Sequence, residues 1–294
     1  MRGLIVKGIG GFYYVETEKG VIETKGRGIF KKDKTLLKVG DDVEISILPD
    51  GTGVINKIHK RRNAFDRPPI ANIDMFAVVF AAHDPDPNFD LIDRFLLMAE
   101  KNDMEAILVM NKCDLASKEE IDRVAARYEG SGYGLHTVSA LEHTGIEELM
   151  EVFSGKRTAL AGPSGAGKSS LTNVLVPHAK METGTVNDKT GRGRHTTRHV
   201  EIFRLAEGGG LLFDTPGFTA FDLTGVSSYE LGELYPEIAA LHENCRFRDC
   251  RHMNEPGCAV SEAAACGNGI TDARYRSYLK NLEEILEREK NQWR

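Results

Sequence analysis

The chain has 294 residues, 41% of them hydrophobic and 28% charged, with a net charge of −6. That length accommodates two or three compact domains, and the negative balance argues against a globally basic nucleic-acid binder. The longest purely apolar run, Met75 to Ala82, is far too short to span a bilayer, and the N-terminus carries only a short, charge-interrupted apolar stretch, so a cytoplasmic location is expected.

Residues 1–65 carry 13 Lys/Arg against 8 Asp/Glu, a basic start to an acidic body. This fits a local RNA-binding patch or uneven solvated charge equally well. The segments LIVKGIGGFYYVETEKG, GVIETKGRGIF and LKVGDDVEISILPDGTGVINKIHKR are rich in Val, Ile, Tyr and Phe and broken by Gly and a Pro-Asp-Gly turn. They predict four or five short strands forming a small barrel. The oligonucleotide-binding (OB) barrel is the natural candidate, although any small barrel or sandwich gives the same pattern. RRNAFDRPPIAN (61–72), with paired prolines, reads as a linker.

Beyond it strand and helix alternate. MFAVVFAA reads as a buried parallel strand, followed by helix DLIDRFLLMAEKND, strand AILVM, helix SKEEIDRVAARYEG, strand GLHTVSA, helix TGIEELMEVFSG and strand RTALA. That rhythm predicts a parallel sheet with helices on both faces. SYELGELYPEIAAL then reads as helical, and Tyr275, Leu279, Leu282 and Leu286 give the last helix an apolar stripe that docks on its own domain.

GPSGAGKSS (162–170) follows strand RTALA and opens helix SSLTNVLV. Gly162, Gly167, Lys168 and Ser169 fit G-x-x-x-x-G-K-[ST], a loop whose backbone N–H groups cradle phosphates. Pro163, Ser164, Gly165, Ala166 and Ser170 complete it. Lys168 is expected on the β- and γ-phosphates and the Ser169 hydroxyl on Mg²⁺. The base is read elsewhere: Asn111, Lys112 and Asp114 of NKCD end a predicted strand, where α/β sheets bind ligands. A carboxylate there accepts the N1–H and exocyclic amine of guanine, a donor pair adenine lacks. Ser139 and Ala140 of VSA close the next strand, with a backbone N–H for guanine O6. Asp214 and Gly217 of DTPGF suit the Mg²⁺ shell and the γ-phosphate. Between lies the basic segment TGRGRHTTRHVEIF, where Thr197, ahead of Thr196, is the expected Mg²⁺ ligand.

These motifs stand in the order base, base, phosphate, switch, switch, a circular permutation of the ordinary phosphate-first order. Permutation preserves the site when the old termini were close. One consequence is mechanical: the second switch runs directly into the C-terminal domain, so hydrolysis has a route to shift that domain.

Five cysteines in a cytosolic chain do not imply disulfides. Cys245, Cys250, His252 and Cys258 have the spacing C-x4-C-x-H-x5-C, a closed tetrahedral set for structural Zn²⁺. Cys113 and Cys266 stand outside it.

The whole chain resembles the ribosome small subunit-dependent GTPase family (RsgA, also called YjeQ), on a barrel, the permuted motifs NKCD, SA, GPSGAGKSS, GRGRHTTRH and DTPG, and the cluster CRFRDCRHMNEPGCAV. The resemblance implies a multidomain fold: an OB-like β-barrel (1–66), a circularly permuted α/β P-loop GTPase domain (67–224) and a C-terminal α-helical zinc-binding domain (225–294). It also implies a GTP hydrolase of late 30S subunit maturation, stimulated by the 30S particle, binding GTP/GDP with Mg²⁺ and touching 16S rRNA through both flanking domains; a monomer is expected. Phe218 follows DTPG, where many GTPases carry a water-orienting Gln, so slow intrinsic turnover is expected. His195, with Lys168 and Thr197, completes the expected catalytic set. Expected basic contacts are Lys57, Lys60, Arg61, Arg62, Arg192, Arg194, Arg198, Arg246, Arg248 and Arg251. A nucleotide-gated RNA-binding or translation factor with incidental hydrolysis is the second reading, and a small-molecule P-loop kinase the third.

Overall fold

The computed structural model describes residues 1–28, 30, 35–177, 179, 200–214, 223–253 and 255–292. Five strands come first: β1 (Arg2–Ile9), β2 (Phe12–Thr17), β3 (Gly20–Gly26), β4 (Asp42–Ile47) and β5 (Gly53–Ile58). Gly10 and Gly11 form the two-residue loop that pairs Ile9 with Phe12, both at positive φ (58° and 86°). A primed hairpin turn of this kind matches the strand twist and favours glycine at both places. Neighbours run β1-β2-β3-β5-β4, and β4 pairs back onto β1, so the sheet closes into an OB-like barrel.

The stretch expected to be a linker is ordered as a hairpin of β6 (Ala64–Asp66) and β7 (Pro69–Ala71). The paired prolines obscured it, because Pro69 begins its strand, a position where a missing N–H is tolerated. Lys38, only 4% exposed at its side chain, donates to Phe65 O and Asp66, both at 2.5 Å. The Asn72 side chain joins the hairpin's end to Gly40 O of the barrel (2.9 Å).

The central sheet follows in the order β10-β9-β8-β11-β13-β12. Here β8 is Met75–Ala81, β9 Glu105–Asn111, β10 Leu135–Thr137, β11 Arg157–Ala161, β12 Glu201–Arg204 and β13 Leu211–Asp214. All are parallel neighbours except β12. All seven residues of β8 are buried, and alternate ones serve opposite faces. Phe76, Val78 and Phe80 pack with Ile92, Phe95, Leu96 and Met98 of α1 (Phe89–Lys101), while Met75, Ala77 and Val79 face Leu149 and Phe153 of α3 (Ile146–Phe153) and Leu171 of α4 (Lys168–Leu175). Fully burying each large side chain contributes about 1.5–3 kcal/mol, which is why a continuous apolar run codes for this central strand.

Helix starts follow the local code. Asn88 caps α1 by accepting from Leu91 N (3.2 Å), and Ser117 with Glu120 forms a reciprocal capping box at α2 (Lys118–Arg127). β12 also pairs with β1, so the barrel and the central sheet are one eleven-stranded structure. Ion pairs line that junction: Lys7–Glu201 at 2.7 Å, Arg204–Glu16, and a two-pronged Arg157–Asp42 at 3.0 and 2.9 Å.

The C-terminal unit holds α5 (Pro236–His242), α6 (Ala259–Cys266) and α7 (Asp272–Gln292). Within SYELGELYPEIAAL, the segment Leu231–Leu234 is a 3₁₀ turn and Pro236 restarts the chain as the first residue of α5. Tyr278, Leu282 and Ile285 of α7 are buried in this unit's core, with Tyr275, Leu279 and Leu286 packed around them. The expected stripe therefore docks on its own domain. A buried polar network joins the unit to α1: Arg274 donates to Asp93 (2.7 Å) and Glu237 (2.6 Å), and Arg127 and Tyr128 also reach Asp93. Among the described residues, no helix is long and apolar enough to cross a membrane.

Candidate functional site

Because β8, β9, β10, β11 and β13 are parallel, their carboxyl ends lie along one edge, the ligand-binding edge of an open α/β sheet. The loop 162–167 leaves β11 there and runs into the N-terminus of α4, where N–H groups and the helix dipole favour anions. Gly162 (φ 139°) passes so close to β8 that a Cβ would lie 2.0 Å from Val79 O. Gly167 (φ 84°) leaves no room either, since its Cβ would lie 2.2 Å from Asn111 Nδ2.

Asn111 organises the site. It is 1% exposed, its amide donates to Ala166 O (3.0 Å), and its carbonyl accepts from Ala140 N (3.2 Å). One side chain thus joins the loop expected to hold phosphates to both segments expected to read the base. Glu142 N donates to the buried Ser139 hydroxyl (3.0 Å), and Cys113 N donates to Val138 O (3.1 Å), fixing the two strand ends together. Lys112 stands in left-handed backbone (φ 59°) and its ammonium bonds Asp84 O. Asp114 sits exposed in the short turn Cys113–Leu115. The loop after β8 went unnoticed in the sequence, yet Asp84 receives Lys112 and Pro85 lies against Gly165, with 3.1 Å from its ring to a Cβ built there. Its signal was the dense HDPDPN that follows β8.

Lys168 Nζ donates to Gly162 O (2.8 Å) and Pro163 O (2.7 Å), lying inside its own loop. Burial lowers its pKa to about 8, against the opposing field of Asp214 at the end of β13. Ser169 and Ser170 open α4, half-buried, and Ser164 is exposed in the loop. The hydroxyl of Ser169 and the carboxylate of Asp214 suit a hard divalent cation such as Mg²⁺, which favours oxygen ligands. His195, Thr196, Thr197, Gly217 and Phe218, with Arg192, Arg194 and Arg198, lie outside the described residues.

The metal cluster assembles as its spacing implied. Cys245, Cys250, His252 and Cys258 place one ligand atom each within 4.8 Å of one another. His252 Nδ1 lies 3.6 Å from Cys245 Sγ and 3.5 Å from Cys258 Sγ. A tetrahedron with Zn–S of about 2.3 Å and Zn–N of about 2.0–2.1 Å has an N···S edge of about 3.5 Å, so the residues fit zinc. Burial pushes the Cys250 thiol up to about 12 and His252 down to about 4. The protein alone keeps both neutral, and a divalent cation held there would displace the Cys250 thiol proton. The four side chains fill a tetrahedral shell, as in structural sites.

Of the expected basic contacts, Arg61 is engaged by the fully buried Asp41 at 2.6 and 2.8 Å. Arg62 pairs with Asp74, and Lys57 with Glu44 at 3.3 Å. On the C-terminal unit, Arg246 lies over the ring of Phe247 and Arg251 over that of Tyr229, both rings exposed.

Residues 2–55 match the model of the RsgA N-terminal domain and residues 58–224 that of the RsgA GTPase. The small ribosomal subunit biogenesis GTPase RsgA of Clostridium beijerinckii is 44% identical over 100% of both chains, and that of Shouchella clausii 40% identical over 98% and 99%. Among solved structures, YloQ, a circularly permuted GTPase, is 36% identical with a TM-score of 0.81, over 98% of this chain and 95% of that one. YjeQ from Thermotoga maritima is 34% identical with a TM-score of 0.82, over 97% and 98%.

Proposed function

This chain belongs to the RsgA GTPase family, and from that membership we propose that it hydrolyses GTP to GDP and phosphate during biogenesis of the small ribosomal subunit. The observation that carries the reading is Asn111, whose one amide couples the phosphate loop at Ala166 O to the base loop at Ala140 N. That arrangement belongs to a site that reads a base and a phosphate chain together.

In the proposed mechanism, Asp114 accepts the guanine N1–H and amine, with Asn111, Lys112, Ser139 and Ala140 shaping the base pocket. Gly162 to Ser170 wrap the phosphates, and Lys168 leaves Gly162 O and Pro163 O to meet the β- and γ-oxygens. Ser169, Thr197 and Asp214 would hold Mg²⁺, which supplies charge neutralisation of the phosphates when bound. The N–H of Gly217 meets the γ-phosphate, and His195 orients the attacking water. Cys245, Cys250, His252 and Cys258 hold structural zinc.

The domains divide at 1–66, 67–224 and 225–294, and the chain acts as a cytoplasmic monomer. It touches 16S rRNA through the barrel and the C-terminal unit, where Phe247 and Tyr229 present faces on which unpaired bases stack.

The test measures GTP turnover alone, with purified 30S subunits and with free 16S rRNA, at two salt concentrations. Stimulation by 30S subunits that falls with salt is expected, together with its loss in His195→Ala while GTP still binds. Turnover indifferent to 30S subunits would favour the RNA-binding factor with incidental hydrolysis.

A further inference from the structure

His242, the last residue of α5, lies outside the cysteine-histidine set yet touches it. Its Nδ1 is 3.1 Å from His252 Nε2, and its Nε2 is 3.1 Å from Arg248 O. We propose that His242 is the positioning residue of the metal centre: it accepts the His252 Nε2–H and thereby fixes His252 as an Nδ1 ligand, tying it to the backbone between Cys245 and Cys250.

The direction of each bond follows from the carbonyl. Arg248 O only accepts, so His242 Nε2 carries a hydrogen. A neutral imidazole has one N–H, which makes His242 Nδ1 an acceptor, and the nitrogen facing it must donate. His252 therefore carries its hydrogen on Nε2, and the bare lone pair is left on Nδ1. That atom is the one 3.6 and 3.5 Å from the Cys245 and Cys258 sulfurs. The opposite direction requires a cationic His242 and would aim an N–H at the thiols, which no metal tolerates. Ligating histidines generally pass their other N–H to an acceptor that sets tautomer and ring orientation.

The rest of the residue is held separately. His252 has left-handed backbone (φ 57°), and Tyr275 of α7 donates to its carbonyl (2.7 Å). Tyr275 thus fixes the main chain, and His242 fixes the ring.

The proposal rests on the zinc reading, and one experiment separates the two. The full-length chain and His242→Phe, which keeps a ring but no nitrogen, are loaded with zinc and titrated with a competing chelator. His242→Phe is expected to hold zinc roughly 10–100-fold more weakly, and its cobalt-substituted form to show shifted absorption bands. A second measurement needs no variant: ¹⁵N spectra of the zinc-loaded chain should show His252 metal-bound at Nδ1, with a slowly exchanging proton on Nε2. Equal zinc affinity in His242→Phe, or metal at His252 Nε2, would overturn the proposal and leave the zinc site standing. Failure of the unaltered chain to take up zinc would overturn both.

Discussion

Replacing Arg274 by Met tests what joins the C-terminal unit to the GTPase domain. Arg274 is fully buried between Asp93 Oδ1 (2.7 Å) and Glu237 Oε1 (2.6 Å), with its guanidinium 4.6 Å above the Tyr235 ring. Burial opposes its charge, but the two carboxylates hold it above the usual arginine range. Without it, Asp93 keeps Arg127 (3.0 Å) and the Tyr128 hydroxyl (2.9 Å). Glu237 keeps no salt-bridge partner among the described residues and stays buried. Stranding one buried carboxylate costs about 3–5 kcal/mol, a large share of the roughly 5–15 kcal/mol that holds a domain together. Hydrogen exchange of α7 reads this directly, because protection should fall by about two to nearly four powers of ten. The double variant Arg274→Met with Glu237→Met removes the stranded charge and should recover most of the loss. A single variant that loses less than about 1 kcal/mol, near fivefold in protection, would refute the reasoning. So would a double variant as damaged as the single.

Three further outcomes are expected. Lys168, held at about 8 in the free site, regains its ordinary range against phosphate oxygens, so nucleotide binding takes up a proton. The GDP dissociation constant should therefore rise about fourfold from pH 7 to 8.5; calorimetry in buffers of different ionisation enthalpy should register the uptake, and pH-independent affinity would exclude it. For the same reason the free protein should gain stability as pH climbs from about 8 towards the ordinary lysine value of 10.5. Gly167→Ala drives a Cβ into Asn111 Nδ2 at 2.2 Å and should weaken GTP binding at least about tenfold. Gly51→Ala, at similar φ (85° against 84°) in open space, should leave binding unchanged, and equal effects would discount the collision.

Most of the fold was legible because periodicity and burial agree. Met75–Ala81 read as a central strand since every residue of it is buried, and the nucleotide and metal motifs named their own chemistry by spacing. What escaped depended on tertiary partners. Nothing in RRNAFDRPPIAN announces that Asn72 reaches Gly40 O and orders the hairpin. Arg274 looks like any helix-surface arginine until Asp93 and Glu237 close around it. Arg61, expected at an RNA surface, is bound to Asp41. His242 has no motif to mark it, because its role depends on a ring orientation ten residues away.

The place of β8 between β9 and β11 sets the order in which the domain is born. In a phosphate-first chain the P-loop strand emerges before its neighbours; here β8 and β9 leave the ribosome first and β11 follows about 45 residues after β9. At roughly 5–20 residues per second, β8 then waits about 2–9 s with one edge unpaired. MFAVVFA is a seven-residue apolar strand without charge or proline, the composition that adds to foreign strands when its edge is open. Permutation leaves the finished site intact and moves the hazard into synthesis, where truncation before residue 157 would expose the edge for good.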